Sequence, residues 1–337
     1  MAFQRPGVYV QETLNPVQPV VGPAANAIGA FVGANDRGPT TPHLITSWSQ
    51  YVNLFGSWNT NANNNLPIAV YLFFANGGSQ AYVNRVVGTG AAKAGRILND
   101  RAGSPQSTLT VTALNEGAWG NNINISITDS VLTGYFNVIV YYTGSTDAYI
   151  VERWTDLSMS SADGRYAPSV INGNSNYISV TDNSSSSTGV TKNPVVQANS
   201  ALSTGANGTA PTSTEVLASL SGFDTIKDSL VLNLPGLTSA TIVNGAISYA
   251  TGGTRLNDVF VVVDGVNDTV NNQLNLAATY TATSYAAVYY PQITISDPSA
   301  PIGAPTSATK TVGAGGAVVG LYAATDASRG VFKAPAG

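Results

Sequence analysis

The period with which apolar and polar positions recur changes several times along the chain, and each change marks an element. In "RPGVYVQET", Val8 and Val10 alternate with Tyr9 and Gln11, the period of a strand. Pro16, Pro19 and Pro23 then occupy the stretch where a hairpin partner would have to start, so the strand at Gly7–Glu12 has no local partner. Residues 1–22 therefore read as an extended arm followed by a linker. "AIGAFVGANDRGP" gives a short buried strand ended by Gly33, then a loop. "LITSWSQYVNLFG" places Trp48, Tyr51, Val52 and Phe55 on one face of a helix, with Ser47 as N-cap and Gly56 as the stop. A second helix around Pro67 has Leu66, Val70, Phe73 and Phe74 as its apolar stripe and is closed by Asn76, Gly77 and Gly78. "AYVNRVV" then alternates as a strand.

From about residue 91 the texture changes to short alternating runs between Gly, Asn and Ser turns: "TLTVTAL", "NINISITD", "YFNVIVYY", "AYIVERW" and "YISVT". Their spacing predicts an antiparallel, β-rich insertion. The stretch from Asp182 to Glu215 follows, dominated by Ser, Thr, Asn and Gly, and is expected to be a long exposed loop with too few apolar groups for a core element. Strand, helix, strand then resumes. "DVFVVVDGV" reads as a buried strand, "TVNNQLNLAATY" as a helix with Val270, Leu274 and Ala277 on one face, and "AAVYYPQITISDP" as another strand. "GGAVVGLYAATDASRG" reads as a helix whose small residues permit close packing. The pattern as a whole predicts an α/β core domain, a mixed sheet with flanking helices, made of residues 23–90 and 214–337. It is interrupted by the β-rich antiparallel insertion at 91–213 and preceded by the extended N-terminal arm.

Composition sharpens this picture mainly by exclusion. Charged residues are 9% of the chain and the net charge is −4, so no basic stripe exists to attract a polyanion and nucleic acid is not an expected partner. Weak charge also means little repulsion between copies packed against one another. There are no cysteines, which removes disulfides and thiolate metal sites. The N-terminus lacks the pattern of a signal peptide, and no apolar run is long enough for a transmembrane helix. Folding in a cytoplasm without membrane insertion is expected.

Candidate chemistry is sparse. His43, set in a loop, is the chain's one histidine, and nothing like a nucleophile elbow accompanies it. Asp258, Asp264 and Asp268 bracket "VFVVV" and could serve a glycoside hydrolase, but carboxylates at both ends of a buried strand also arise wherever a strand emerges into solvent. "GTGAAKAG" and "GAGGAVVG" match neither a phosphate loop nor a dinucleotide fingerprint. A non-enzymatic protein with no cofactor and no metal is expected.

Several short pieces carry a family resemblance. "IGAFVG" (Ile28 to Gly33), "RGP" (Arg37 to Pro39), "LITSW" (Leu44 to Trp48), "FG" (Phe55, Gly56), "FFANGG" (Phe73 to Gly78) and "YVNRV" (Tyr82 to Val86) resemble, in order and spacing, the N-terminal half of tail sheath proteins of contractile phage tails and contractile injection systems. "GAWGN" (Gly117 to Asn121) resembles the entry to that family's insertion. "YYP" (Tyr289 to Pro291) and Gly320 to Gly337 resemble its later core strand and the segment after it. The resemblance implies a virion tail sheath subunit that polymerises as a helical lattice around a tail tube, without ATP, and contracts to drive the tube through a target envelope. It implies that Gly7, Val8, Tyr9, Val10, Gln11 and Glu12 add a strand to a neighbouring copy. The implied partners are other copies of the chain, the tail tube protein, and baseplate and tail terminator proteins. The family's C-terminal domain is expected to be absent, as in a shortened form or a fragment. A β-rich surface-layer or fibre adhesin and a polysaccharide depolymerase are the alternatives that the residues leave open.

Overall fold

A computed structural model describes residues 27–335 except 60–62, 253, 256, 301, 302, 304, 306 and 307. The first third holds β1 (Ile28–Ala34), β2 (His43–Ile45), α1 (Trp48–Phe55), α2 (Asn65–Ala75) and β3 (Ala81–Val86). The middle holds β4 (Ala91–Ala92), β5 (Gly95–Asn99), β6 (Ser107–Ala113), β7 (Ile123–Asp129), β8 (Phe136–Tyr142), β9 (Ile150–Leu157), α3 (Ala167–Ile171), β10 (Ile178–Asp182), β11 (Gln197–Ala201) and β12 (Ala206–Asn207). The last part holds α4 (Ser213–Ser219), β13 (Leu230–Asn233), α5 (Ala240–Thr251), β14 (Val259–Asp264), α6 (Val270–Ala277), β15 (Ala286–Tyr289), β16 (Ile293–Ser296), β17 (Thr309–Val312) and α7 (Gly315–Arg329).

Six strands from the two ends of the described chain form one sheet, in the order β15-β14-β13-β1-β3-β2. All neighbours are parallel except the antiparallel edge strand β2. Helices cover both faces, which explains why its central strands are apolar on both sides. Ile28, Ala30 and Val32 of β1 pack with α4 and α5, while Phe31 packs with α1, α2 and α7. The expected mixed sheet with flanking helices is present.

The cap predicted for α1 is formed: Ser47 Oγ accepts from the Gln50 N–H at 3.2 Å, and Gly56 ends the helix at φ +83°. Helix α2 is buried nearly all round because three partners surround it. Leu66, Val70 and Phe73 face the sheet, Ile68 and Leu72 meet Val312 of the β16/β17 hairpin, and α7 lies alongside. Of the predicted stripe, Phe74 is half-buried. The small residues of α7 act as expected: a Cβ on Gly316 would come within 2.3 Å of the Ala69 carbonyl oxygen, so glycine there sets the approach of α7 to α2. No helix among the described residues is long and apolar enough to cross a membrane.

Between β3 and α4 the chain builds a second core from two antiparallel sheets, β10-β6-β5 and β11-β7-β8-β9. Leu109, Val111 and Ala113 of β6, Ile123, Ile125 and Ile127 of β7, and Phe136, Val138 and Val140 of β8 point inward at period two. The polar stretch from 182 to 215 differs from its expected form. It contributes β11, paired with β7, and β12, paired with β4, and buries Leu202 in the insertion core. The reason is that a ladder joins backbone groups, so a polar segment can complete a sheet edge with a single inward apolar side chain.

Asp100 anchors the same polar stretch. Fully buried, it accepts hydrogen bonds from the Ser185 hydroxyl, the Gln106 N–H at 3.0 Å, the Ser187 hydroxyl at 2.8 Å and the Ala102 N–H at 3.2 Å. These donors favour the carboxylate and hold its pKa down at about 2. A carboxyl depressed in the folded state stabilises fully above its unfolded pKa and loses that contribution as the pH falls through its folded one. Urea midpoints are accordingly expected to converge for wild type and Asp100→Asn as the pH falls from about 4 towards about 2. A difference that stays constant across that window would remove the ionised Asp100 as the cause.

Two further expectations are corrected by the structure, and a third is given its direction. "AAVYYPQITISDP" is two strands in two different sheets, β15 and β16, separated by a cis Tyr290–Pro291 bond. His43 is on the edge strand β2 rather than in a loop, because three residues pairing with β3 leave no periodic signal. On α6, Val270 and Leu274 share a face as expected, but that face is outward, 57% and 61% exposed, and Gln273 is the buried residue. Periodicity identifies a stripe; it does not say which way the stripe turns.

Candidate functional site

Gly7–Glu12, the residues expected to exchange between copies, lie outside the described residues. Within them, four of the stretches that carry the resemblance, those holding Arg37, Phe55, Arg85 and Gly117–Trp119, meet at the loop Asn35–Gly38 after β1, where the α/β core meets the insertion.

Arg85, on β3, is 1% exposed and spends its guanidinium on that loop. Its Nε donates to the Asn35 carbonyl at 2.7 Å, Nη1 to Gly38 at 3.1 Å and Nη2 to Asp36 at 3.1 Å. Burial lowers its pKa to about 10, against the opposing pull of Glu116 and Asp36, so it stays cationic at neutral pH. Asn35 ties the loop to α1: Nδ2 donates to the carbonyls of Arg37 (2.8 Å) and Phe55 (2.7 Å), and Oδ1 accepts from the Tyr51 hydroxyl at 3.3 Å. Burial raises the Tyr51 phenol well above its ordinary pKa, which keeps it a donor. Gly38 has φ +116°, and a Cβ there would come within 2.2 Å of the Phe55 ring. Both the conformation and the space require glycine.

Arg37 leaves the same loop in the opposite direction. Its Nη2 donates to the Asn53 carbonyl of α1 at 3.0 Å and to the Asn176 carbonyl of the insertion at 2.9 Å. Its guanidinium carbon lies 4.3 Å from the Tyr177 ring centroid and 4.9 Å from that of Trp119. Cationic stacking on two insertion aromatics thus couples the insertion to the core. Gly117, at φ +131°, lets the Trp119 segment pass beneath the loop, since a Cβ would sit 2.7 Å from the Asp36 carbonyl oxygen. Arg37 also lines a cleft of about 730 Å³ between core and insertion, with Trp58, Trp119 and Tyr142.

This junction can hold two domains in fixed relation, since Asn35, Arg37 and Arg85 donate to backbone carbonyls on both sides of it. Among the described residues no three His, Cys, Asp or Glu side chains gather as a metal site would need. His43 is exposed on β2. The three carboxylates around β14 serve separate local roles. Asp258 pairs with Arg255 at 2.9 Å, and Asp268 accepts from the Thr269 N–H at 2.7 Å. Asp264 is buried rather than emerging into solvent: it accepts from the N–H groups of Gly236 (2.9 Å) and of Gly315 (2.7 Å), at the start of α7. Desolvation pushes its pKa up.

Neither Arg37 nor Arg85 stands out from sequence spacing as a clamp, although an arginine inside the apolar strand "YVNRV" of a weakly charged chain is a usable signal.

No protein-family model matches the sequence, and no curated protein matches it. Solved structures do. A sheath tail protein from Desulfitobacterium hafniense is 16% identical, with a TM-score of 0.52 over 95% of this chain and 62% of that one. A sheath tail protein from Listeria innocua is 15% identical, with a TM-score of 0.59 over 92% of this chain and 58% of that one. The chain therefore has the fold of sheath tail proteins and spans about three-fifths of the length of these two.

Proposed function

We propose that the chain is a structural subunit of a contractile tail sheath. Copies polymerise as a helical lattice around a tail tube, and the lattice shortens to drive the tube through a target envelope. The observation that carries this reading is the fold shared with two sheath tail proteins over more than nine-tenths of the chain. The junction built on Arg37 and Arg85 is in keeping with it, because its side chains are committed to holding domains together.

In this reading residues 23–90 and 214–337 are the rigid body, 91–213 the outward insertion and 1–22 the compliant arm. Contraction moves rigid bodies by large amounts while neighbours stay connected, so compliance belongs in the Pro-punctuated arm. The energy is stored in assembly: the extended lattice is a kinetic trap, and a trigger from the baseplate releases it ring by ring into a shorter, wider and more stable one. Partners are other copies, the tube protein, and baseplate and terminator proteins; nucleic acid binding, membrane insertion and catalysis have no part. Assembly takes place in a bacterial cytoplasm and the product resides in the virion.

Negative-stain microscopy of the expressed chain is the test. Hollow striated cylinders or rings are expected; isolated fibres, flat layers or dispersed monomers at assembly concentrations would refute the proposal.

A further inference from the structure

We propose that the cleft between the α/β core and the insertion is a binding site for a neutral saccharide, with Arg37, Trp58, Tyr142, Tyr177 and Asn122 as its recognition groups. The inference goes beyond the sheath reading and does not depend on it.

The cleft has a volume of about 730 Å³, inside the range of about 300 to 1,000 Å³ in which small-molecule sites fall. Volume alone assigns nothing, but the wall also carries an orphaned polar group. Arg37 is 5% exposed and its Nη2 serves the carbonyls of Asn53 and Asn176, yet its Nε–H is buried without a hydrogen-bond partner. A buried cationic donor left unmet is destabilising, so a ligand oxygen at that guanidinium supplies an acceptor that the fold does not. The contrast with Arg85 is direct. Arg85 lines a second cavity, of about 380 Å³ at the ends of β1, β3 and β13, and all three of its nitrogens already have carbonyl acceptors. The other buried orphans among the described residues, Asn84 Oδ1, Arg101 Nη2, Asn233 Oδ1 and Gln273 Nε2, belong to residues that line neither cavity.

The chemistry of the wall selects the class of ligand. Its charged side chains are Asp36 and Arg37, one of each sign, so a net anion or a net cation meets one like charge as well as one opposite. A neutral ligand meets no such conflict. Trp58, Tyr142 and Tyr177 are half-buried on the wall. The hydroxyls of Tyr142 and Tyr177, the indole N–H of Trp58 and the side-chain amide of Asn122 make no hydrogen bond among the described residues. Donors and acceptors thus stand beside flat apolar rings. A pyranose matches both features, with hydroxyls that donate and accept around its rim and C–H faces that lie against aromatic rings. A wholly apolar ligand would leave the polar groups unmet.

The rings are also held in place. Trp48 packs against Trp58 with centroids 5.0 Å apart, the Arg37 guanidinium carbon lies 4.3 Å from the centroid of Tyr177, and Tyr142 meets Trp119 edge to face at 6.1 Å. A site ordered in advance loses less freedom when a ligand enters. Trp58 belongs to the core, whereas Asn122, Tyr142 and Tyr177 belong to the insertion. One ligand in contact with both therefore stabilises their junction by linkage.

The test titrates glucose, galactose, N-acetylglucosamine, lactose, cellobiose and chitobiose into the full chain and follows tryptophan fluorescence, to which Trp58 and Trp119 on the wall contribute. At least one sugar is expected to bind with a Kd of about 10 mM or tighter. It should raise the melting temperature with concentration and slow limited proteolysis within 87–94 and 203–212 about threefold or more. Tyr142→Phe keeps the ring and removes its hydroxyl, and Asn122→Ala removes an exposed amide. Each is expected to weaken that sugar about three- to tenfold, with the melting temperature of the ligand-free chain unchanged. Tyr149→Phe, on the insertion but outside the cleft, is expected to leave binding as it was. The assignment is overturned if none of the six sugars binds, or if binding survives both cleft substitutions at full strength. Tighter binding of acetate or methylammonium than of every sugar would also overturn it, by showing that the cleft selects for charge.

Discussion

Replacing Arg85 with methionine is expected to lower the unfolding free energy of the α/β core by about 3 to 6 kcal/mol and to loosen the insertion on it. Methionine refills most of the volume, so the loss reports hydrogen bonding rather than a cavity. Three carbonyls, those of Asn35, Asp36 and Gly38, lose their donor at once. Orphaning a buried acceptor costs about 1 to 3 kcal/mol, with water recovering part of it where the site can hydrate. The loop that relaxes also presents Arg37 to the insertion, so the damage extends to a second contact. Urea unfolding followed by tryptophan fluorescence reads the first effect. Limited proteolysis within 87–94 and 203–212, the two crossings between core and insertion, reads the second. A change below 1 kcal/mol with unaltered proteolysis would show that the loop holds its shape without Arg85.

Local features of the fold were legible in the residues because their causes are local. The spacing of Trp48, Tyr51 and Phe55, the Ser47 hydroxyl and the Asn76–Gly77–Gly78 stop act within a turn or two of themselves. Close approach of α7 to α2 was legible for a similar reason, since a run of Gly and Ala has few other uses in a helix. The elements that escaped are those whose cause is distant. Strand β2 exists because β3 offers it an edge, and β11 because β7 does; neither has side chains that announce it. The stripe on α6 was visible, but its direction is decided by neighbours.

The junction shows the same division more sharply. Arg37 reaches Asn176 across 139 positions, and Arg85 reaches Asn35 across 50. No window along the chain contains both ends of either contact. What the sequence does carry is scarcity: with 9% charged residues, an arginine set between apolar neighbours in a strand must find partners inside the fold or destabilise it. Asp264 is a parallel case. Its position at the end of an apolar run suggested an exit to solvent, yet the start of α7 folds back over it and its carboxylate serves the Gly315 N–H.

Deleting residues 1–15 is expected to leave a soluble chain of unchanged fold that forms no cylinders. The apolar clusters described for the two domain cores are built from residues 27 onward, and the deletion leaves every one of those residues in place. Assembly is different. About four ladder hydrogen bonds, at about 0.5 to 1.5 kcal/mol each, contribute about 2 to 6 kcal/mol per junction, a factor of roughly 30 to 20,000 in each association step. A lattice compounds that factor over every subunit, so a loss modest for one pair abolishes the polymer. Val10→Pro should reproduce most of the effect by removing one donor and disturbing strand geometry, without shortening the chain. Circular dichroism and urea midpoints that match the full chain, together with negative-stain fields empty of cylinders, are the expected pair of results. Cylinders of ordinary length and salt resistance from the shortened chain would mean that contacts between bodies hold the lattice by themselves, and that the arm is dispensable.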